Sequence, residues 1–285
     1  MLHEAQAGTS RCSGYCNTRH RPAQHVAEAR TTRILNSLIL DDNFGTLPKI
    51  SYLRGMFRFK QFTILDDRCA HRVGTDGVLL GAWADVCGAR RILDIGTGSG
   101  LVALMAAQRN PVASVVGVEV DAASARQARE NVLRSPFRER VVIVEADVRE
   151  FRTEECFDCI LCNPPFFTED TLSPNAQRAR ARHAEGLRFA DLLTAACRLL
   201  SPEGRFYVIL PSNAETEFVN QAFISGLRMV RRCQVRTVQR KAPKRVMIAF
   251  SREGTIALGG EELLLQNADG SRSTEYSDLT KDFYL

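Results

Sequence analysis

A run of eight residues, Leu93-Asp94-Ile95-Gly96-Thr97-Gly98-Ser99-Gly100, constrains what this chain can fold into more than any other feature. Upstream, Arg91-Ile92-Leu93-Asp94-Ile95 has the apolar density of a buried strand, and downstream Leu101-Val102-Ala103-Leu104-Met105-Ala106-Ala107 reads as helix. A strand that passes over alternating glycines into a helix is the first half of a parallel α/β unit. Glycines at such a turn permit positive φ and close backbone approach to a ligand, while the helix start offers unpaired N–H groups. The spacing is G-x-G-x-G, whereas the dinucleotide fingerprint G-x-G-x-x-G would place its third glycine at Leu101. A pyrophosphate binder is disfavoured. Asp94, just before the glycines, suits an amine-bearing ligand better than a phosphate.

Three further strands extend the unit. Val115 to Val120 is apolar and carries Glu119, 19 residues after Gly100; a carboxylate at that strand end can accept from both hydroxyls of a ribose. Arg140 to Ala146 ends at Asp147, placed to take an adenine amino group. Carboxylates at successive strand ends point to one crevice, because ligands of open α/β sheets gather at the carboxyl edge. S-adenosylmethionine combines the amine and the adenosyl ribose that these positions suit.

Phe157-Asp158-Cys159-Ile160-Leu161-Cys162 forms the fourth strand and runs into Asn163-Pro164-Pro165-Phe166 at the same edge. Two prolines fix φ and hold the preceding asparagine extended. The amide oxygen of Asn163 and the carbonyl of Pro164 can then each accept one hydrogen of a ring-bound NH2 group. Such a nitrogen is a poor nucleophile because its lone pair is delocalised. Two acceptors favour a more tetrahedral nitrogen whose lone pair can meet a methyl carbon in line, with no strong base. Phe166 would stack on the ring. The residues therefore predict methyl transfer to a planar amine.

The glycine turn and N-P-P-F resemble class I S-adenosylmethionine-dependent methyltransferases that act on amino groups. Phe59-Lys60-Gln61-Phe62, Asp67-Arg68-Cys69-Ala70 and Val73-Gly74-Thr75-Asp76-Gly77-Val78-Leu79-Leu80-Gly81-Ala82-Trp83 are similar to the entry segment of bacterial tRNA1(Val) adenine N6-methyltransferases, a likeness that spans about residues 56 to 285. It continues through Gln177-Arg178, Arg182, Arg245-Val246, Ala249-Phe250-Ser251, Tyr276 and Phe283-Tyr284. The resemblance implies an α/β, Rossmann-like fold with a seven-stranded, mostly parallel sheet and a C-terminal antiparallel hairpin. It implies that Thr75 and Asp76 cover the methionine end of the cofactor and that Asp94, Gly96, Gly98 and Gly100 form the loop on that side. Glu119 becomes the ribose contact, Asp147 the adenine contact, and Asn163, Pro164, Pro165 and Phe166 the target clamp. The expected partner is tRNA, methylated at the adenosine 3′ of the anticodon. N-P-P-F is shared with guanine N2 and protein glutamine N5 methyltransferases, so rRNA guanine, DNA adenine and protein glutamine remain alternative substrates. A non-catalytic RNA-binding module with the same pocket is the alternative from another class.

Residues 1–55 show no sustained period and are expected to be a disordered extension or to lie upstream of a start at Met56. Residues 56–285 form the catalytic domain, with 56–90 covering the cofactor, 91–252 the core and 253–285 a C-terminal cover. Downstream of the clamp, helices are expected at Asp191–Leu200 and Glu215–Ile224, and strands at Phe206–Leu210, Met229–Val238 and Arg245–Phe250. No stretch is apolar over the length of a bilayer, and a cytoplasmic protein is expected.

The chain carries a net charge of +5 and nine cysteines. Cys156, Cys159 and Cys162 have a cluster-like spacing, but an offset of three within a strand puts Cys159 and Cys162 on opposite faces, so no metal is expected. Residues 228–245 hold Arg228, Arg231, Arg232, Arg236, Arg240, Lys241, Lys244 and Arg245 with no acidic residue. They, with Arg178, Arg180 and Arg182, are candidate RNA contacts.

Overall fold

The computed structural model describes residues 55–69, 72–164, 187–255 and 259–284. Strands β1 (Met56–Arg58) and β2 (Thr63–Leu65) form an antiparallel hairpin. Helix α1 (Thr75–Trp83), β3 (Arg91–Ile95), α2 (Leu101–Arg109), β4 (Ser114–Glu119), α3 (Ala122–Leu133), β5 (Val141–Glu145) and β6 (Phe157–Cys162) follow. Beyond residue 187 come α4 (Phe189–Leu199), β7 (Leu200–Pro211), α5 (Glu215–Ile224), β8 (Arg228–Arg236), β9 (Arg245–Ser251), β10 (Glu261–Leu264) and α6 (Thr274–Thr280).

One sheet of eight strands, in the order β10-β8-β9-β7-β6-β3-β4-β5, organises the domain. Its pairings are parallel except those of β9, which is antiparallel to both β7 and β8. The expected C-terminal hairpin is thus present, but the sheet has one strand more than the seven expected. Glu261–Leu264 pairs in parallel with Cys233–Arg236 and occupies the edge. Two of its residues hold it there through side chains as well as backbone. Glu261 pairs with Arg231 and Glu262 with Arg236, and Trp83 Nε1 donates to Glu261 at 3.1 Å.

Side chains alternate across each strand, so the sheet separates two apolar layers. On one side Ile92, Val115, Ile143 and Leu161 pack with residues of α1, α2 and α3 and with Tyr276 and Phe283 from the C-terminus. On the other, Leu93, Ile95, Ile160 and Phe206 pack under α4 and α5. Phe189, Phe206, Phe218 and Phe250 form a ring cluster there, with centroids 4.9–6.4 Å apart, a spacing at which aromatic pairs attract beyond simple burial. Cys159 belongs to the first layer and Cys162 to the second, so these buried thiols face away from each other.

The entry hairpin is tied down by a buried asparagine. Asn131 of α3 accepts from Leu65 N at 2.9 Å and donates to Leu65 O and to Ser99 O, each at 2.8 Å. One side chain therefore couples residues 63–65 to the glycine turn. At the other end of the chain, Lys60 N donates to Phe283 O at 2.8 Å and Phe59 stacks on Tyr284. No helix among the described residues is long and apolar enough to cross a membrane.

Candidate active site

The sheet changes direction between β3 and β6: the chain builds outward through β4 and β5, then returns to the other side of β3. A crevice opens where strand order reverses, at the carboxyl ends of those two strands. Register fixes what stands there. Ile95 is level with both Val118 and Cys162, which brings Gly96, Glu119 and Asn163 into one row, while Glu145, level with Glu119, sets Asp147 two residues beyond it.

All three glycines of the turn adopt positive φ: +68° at Gly96, +56° at Gly98 and +83° at Gly100, which is also the N-cap of α2. A side chain at each would cost about 1–2 kcal/mol in this backbone region. A Cβ at Gly96 would meet no atom within 4 Å, so that face of the turn is open. Glu119 braces the turn. Its Oε2 accepts from Gly98 N and its Oε1 from Asp121 N, both at 2.9 Å, and the side chain is half-buried at the crevice. Beside it Val120 is 68% exposed and presents an apolar surface to solvent.

Asp94 behaves otherwise than its position in the sequence suggested. Leu93 and Ile95 point into the α4–α5 layer, so strand alternation sends Asp94 to the other face, under α2. There it is 1% exposed, and its Oδ2 accepts from Thr97 Oγ1 at 2.6 Å and Ala103 N at 3.1 Å. It shapes the glycine turn and caps the first turn of α2 rather than facing the crevice. Burial is the main reason its pKa is pushed up to about 7, with the neighbouring charge of Glu119 adding to it against the lowering effect of the two hydrogen bonds. A carboxylate whose folded-state pKa is raised contributes stability at low pH that is lost as pH climbs through the folded value. Asp94→Asn keeps an acceptor for Thr97 and Ala103 but cannot ionise. The melting temperature of the variant relative to the native chain is therefore expected to rise between pH 4 and 8 and to level off above; a difference that stays flat with pH would contradict the assignment.

Asp147 is half-buried, and both its oxygens are engaged by Arg149, whose hydrogen bonds hold the carboxyl below the usual range. Thr75 and Asp76 open α1, and Arg245 Nε donates to Asp76 Oδ2 at 2.7 Å. One turn position later, a Cβ at Gly77 would stand 3.2 Å from Leu101 Cδ2 and 3.8 Å from Asn163 Nδ2. The start of α1, the glycine turn and the asparagine are thus mutual neighbours. Asn163 is half-buried and Pro164 buried at the exit of β6. Pro165, Phe166 and the Arg178–Arg182 group lie outside the described residues.

The positive run over residues 228–245 is less bare than it reads. Arg231 pairs with Glu261, Arg232 with Glu215, Arg236 with Glu262 and Arg245 with Asp76. The guanidinium of Arg231 also lies 4.3 Å over the Trp83 ring. Sequence reading passed over two contributors, Asn131 and Val120. The first left a signal, a polar residue between Ala128 and Val132 on the apolar face of a helix; the second is an apolar residue just past a strand-end carboxylate.

An open-faced glycine turn, a carboxylate bracing it and an asparagine opposite, all at a switch point in a mostly parallel sheet, define a class I S-adenosylmethionine-dependent methyltransferase. The methyltransferase small domain family matches residues 75–235. A solved predicted O-methyltransferase from Agrobacterium tumefaciens shares the fold, with a TM-score of 0.57 at 20% identity over 73% of this chain and 96% of its own. A Bacteroides thetaiotaomicron protein named "tRNA1(Val) (adenine(37)-N6)-methyltransferase" is 46% identical over 232 residues, 80% of this chain and 97% of its own length. A Phocaeicola vulgatus protein of the same name is 45% identical over 229 residues, again 80% and 97% of the two chains. The chain belongs to the tRNA1(Val) (adenine-N6)-methyltransferase family.

Proposed function

We propose that the protein methylates the N6 amino group of an adenine in tRNA1(Val), the adenosine 3′ of the anticodon. The observation that carries this reading is Asn163, held at the carboxyl end of β6 against Gly77 and level with the glycine turn. S-adenosylmethionine, when bound, supplies a methyl group on a positively charged sulfur. Gly96, Gly98 and Gly100 cradle its methionine portion with their backbone, and Asp94 acts on that loop from below. Glu119 would accept from the ribose hydroxyls, Val120 would offer an apolar surface to the adenine ring, and Asp147, released from Arg149, would take the adenine amino group. Thr75 and Asp76 close the methionine end.

The target base has to leave its stack to reach the crevice. Asn163 Oδ1 and the Pro164 carbonyl then accept the two hydrogens of the N6 amine, turning its lone pair outward, while Pro164, followed by Pro165, keeps the asparagine extended and Phe166 stacks on the base. The new N–CH3 bond would form as the S–CH3 bond breaks, leaving a neutral thioether; the methylated nitrogen is then cationic and acidic, so its proton passes to solvent water without a strong base. Basic groups at the carboxyl end of β8 and the start of β9, together with Arg178–Arg182, meet the RNA backbone. The test is transfer of tritiated methyl groups to total tRNA from a host lacking the gene, followed by nucleoside identification. Label in N6-methyladenosine of the valine tRNA is expected; label in a guanosine, or in protein alone, overturns the reading.

A further inference from the structure

A second cavity of about 400 Å³ adjoins the crevice, between the start of α1, the β8–β9 turn and the C-terminal cover. Its lining is mixed: Thr237, Lys244, Arg245, Gln266 and Arg272 stand among the aliphatic Leu79, Val235 and Leu265. Register places it. Arg245 is level with Pro211 and Cys162 with Val208, so Asn163 follows one residue on, and β9 and β6 are two strands apart, which puts Arg245 roughly 12 Å from Asn163 at ordinary strand spacing. Both therefore stand on the same edge of the sheet.

The charges around this cavity fall into two kinds. Arg231, Arg232, Arg236 and Arg245 each have a carboxylate partner within the fold. Lys244 and Arg272 have none among the described residues, and both are exposed. Arg272 is instead laid over aromatic rings, 4.6 Å from the Tyr284 centroid and 5.9 Å from that of Tyr276, and those two tyrosines are joined through their hydroxyls at 3.2 Å. A guanidinium held over an aromatic ring is restrained there while its N–H groups remain free to donate. Arg272 lies in the C-terminal segment, far in sequence from the basic run.

We infer that this cavity is a second RNA subsite, in which Lys244 and Arg272 bind the phosphates of a nucleotide next to the methylated one, with Thr237 and Gln266 offered to its sugar or base. The inference rests on the proposed tRNA reading for the identity of the RNA. Two cations without a carboxylate partner among the described residues, beside a cavity with apolar as well as polar walls and on the Asn163 edge of the sheet, suit a phosphate backbone entering the crevice rather than a small anion. The C-terminal cover thereby helps position substrate, and is more than a lid on the apolar layer beneath it.

The experiment measures binding of fluorescein-labelled valine tRNA by anisotropy, with S-adenosylhomocysteine present, across a salt series, for the native protein, Lys244→Ala, Arg272→Gln, their combination, and Arg90→Ala. Arg90 is exposed just ahead of β3, at the opposite edge of the sheet, and serves as the control. Each lost contact to single-stranded RNA lowers the slope of log affinity against log salt by about 0.7, so the double variant should lose about 1.4. Arg90→Ala should keep the native slope, and S-adenosylhomocysteine affinity should stay unchanged throughout. A double variant with the native slope overturns the subsite, as does an equal loss in Arg90→Ala. Should Arg272→Gln weaken the fold, Lys244→Ala alone carries the test, since among the described residues that exposed side chain holds no other. Methyl transfer by the native protein is scored separately: absence of N6-methyladenosine removes the proposed reaction, whereas an unchanged slope with normal transfer removes only the subsite.

Discussion

Asn163→Ala is expected to reduce methyl transfer to tRNA on the order of 10²–10³-fold in kcat, the cost of removing one preorganised polar partner from a reacting centre. The alanine leaves the Pro164 carbonyl as the only acceptor for the target amine, so the nitrogen stays flat and its lone pair stays in the ring. Cofactor affinity should change little, because the glycine turn, Glu119 and Val120 are untouched. Stability should also hold: the side chain is half-buried at the mouth of the crevice, and its loss opens space beside Gly77 rather than within a packed layer. Asn163→Asp sharpens the argument. It restores an acceptor where alanine has none, so it should turn over faster than Asn163→Ala while remaining below the native protein. Single-turnover measurement with saturating S-adenosylmethionine reads the chemical step, and an alanine variant within a few-fold of the native rate would remove the clamp from the mechanism.

How far this site could be read in the sequence depended on how local each cause is. The strand Phe157–Cys162 was bounded correctly because its apolar run ends at a double proline, and Arg91–Ile95 because it ends at glycine. Strand β7 was expected from Phe206 but starts at Leu200, since the segment Ser201–Gly204, with a proline and a glycine, reads as a turn. In the sheet it is absorbed as a shift of register, where Leu200 faces Phe157 and Arg205 faces Cys159. Strand β10 escaped notice for a different reason. Its four residues carry two glutamates, and what makes them a strand is pairing with β8 together with ion pairs to Arg231 and Arg236.

Charge was the least legible property. Counted along the chain, residues 228–245 are a cationic block; folded, four of their arginines meet carboxylates at positions 76, 215, 261 and 262. Asp94 is the converse. A carboxylate next to a glycine turn reads as a ligand contact, yet its parity on β3 directs it beneath α2, where the fold needs an acceptor for Thr97 and Ala103.

Glu119 stands at both the glycine turn and the crevice, and Glu119→Ala is expected to have the second large effect. Hydrogen bonds to a charged group are worth about 1.5–3 kcal/mol each. Losing the proposed ribose contacts should therefore weaken S-adenosylmethionine binding on the order of 10²-fold, each 1.4 kcal/mol being a factor of ten. The carboxylate also accepts from Gly98 N and Asp121 N, so alanine loosens the turn itself and part of the loss could come from that loosening. Glu119→Gln separates the two contributions. Its amide oxygen can still accept from Gly98 N and keep the turn in place, but its NH2 group cannot accept from a second donor. The melting temperature of the glutamine variant without ligand should return close to the native value, while its cofactor affinity, measured by calorimetry, should remain well below native. Native affinity in the glutamine variant would make Glu119 a brace for the loop and move ribose recognition elsewhere. Native affinity in the alanine variant would dismiss both roles, because neither the turn nor the ligand would then depend on this carboxylate.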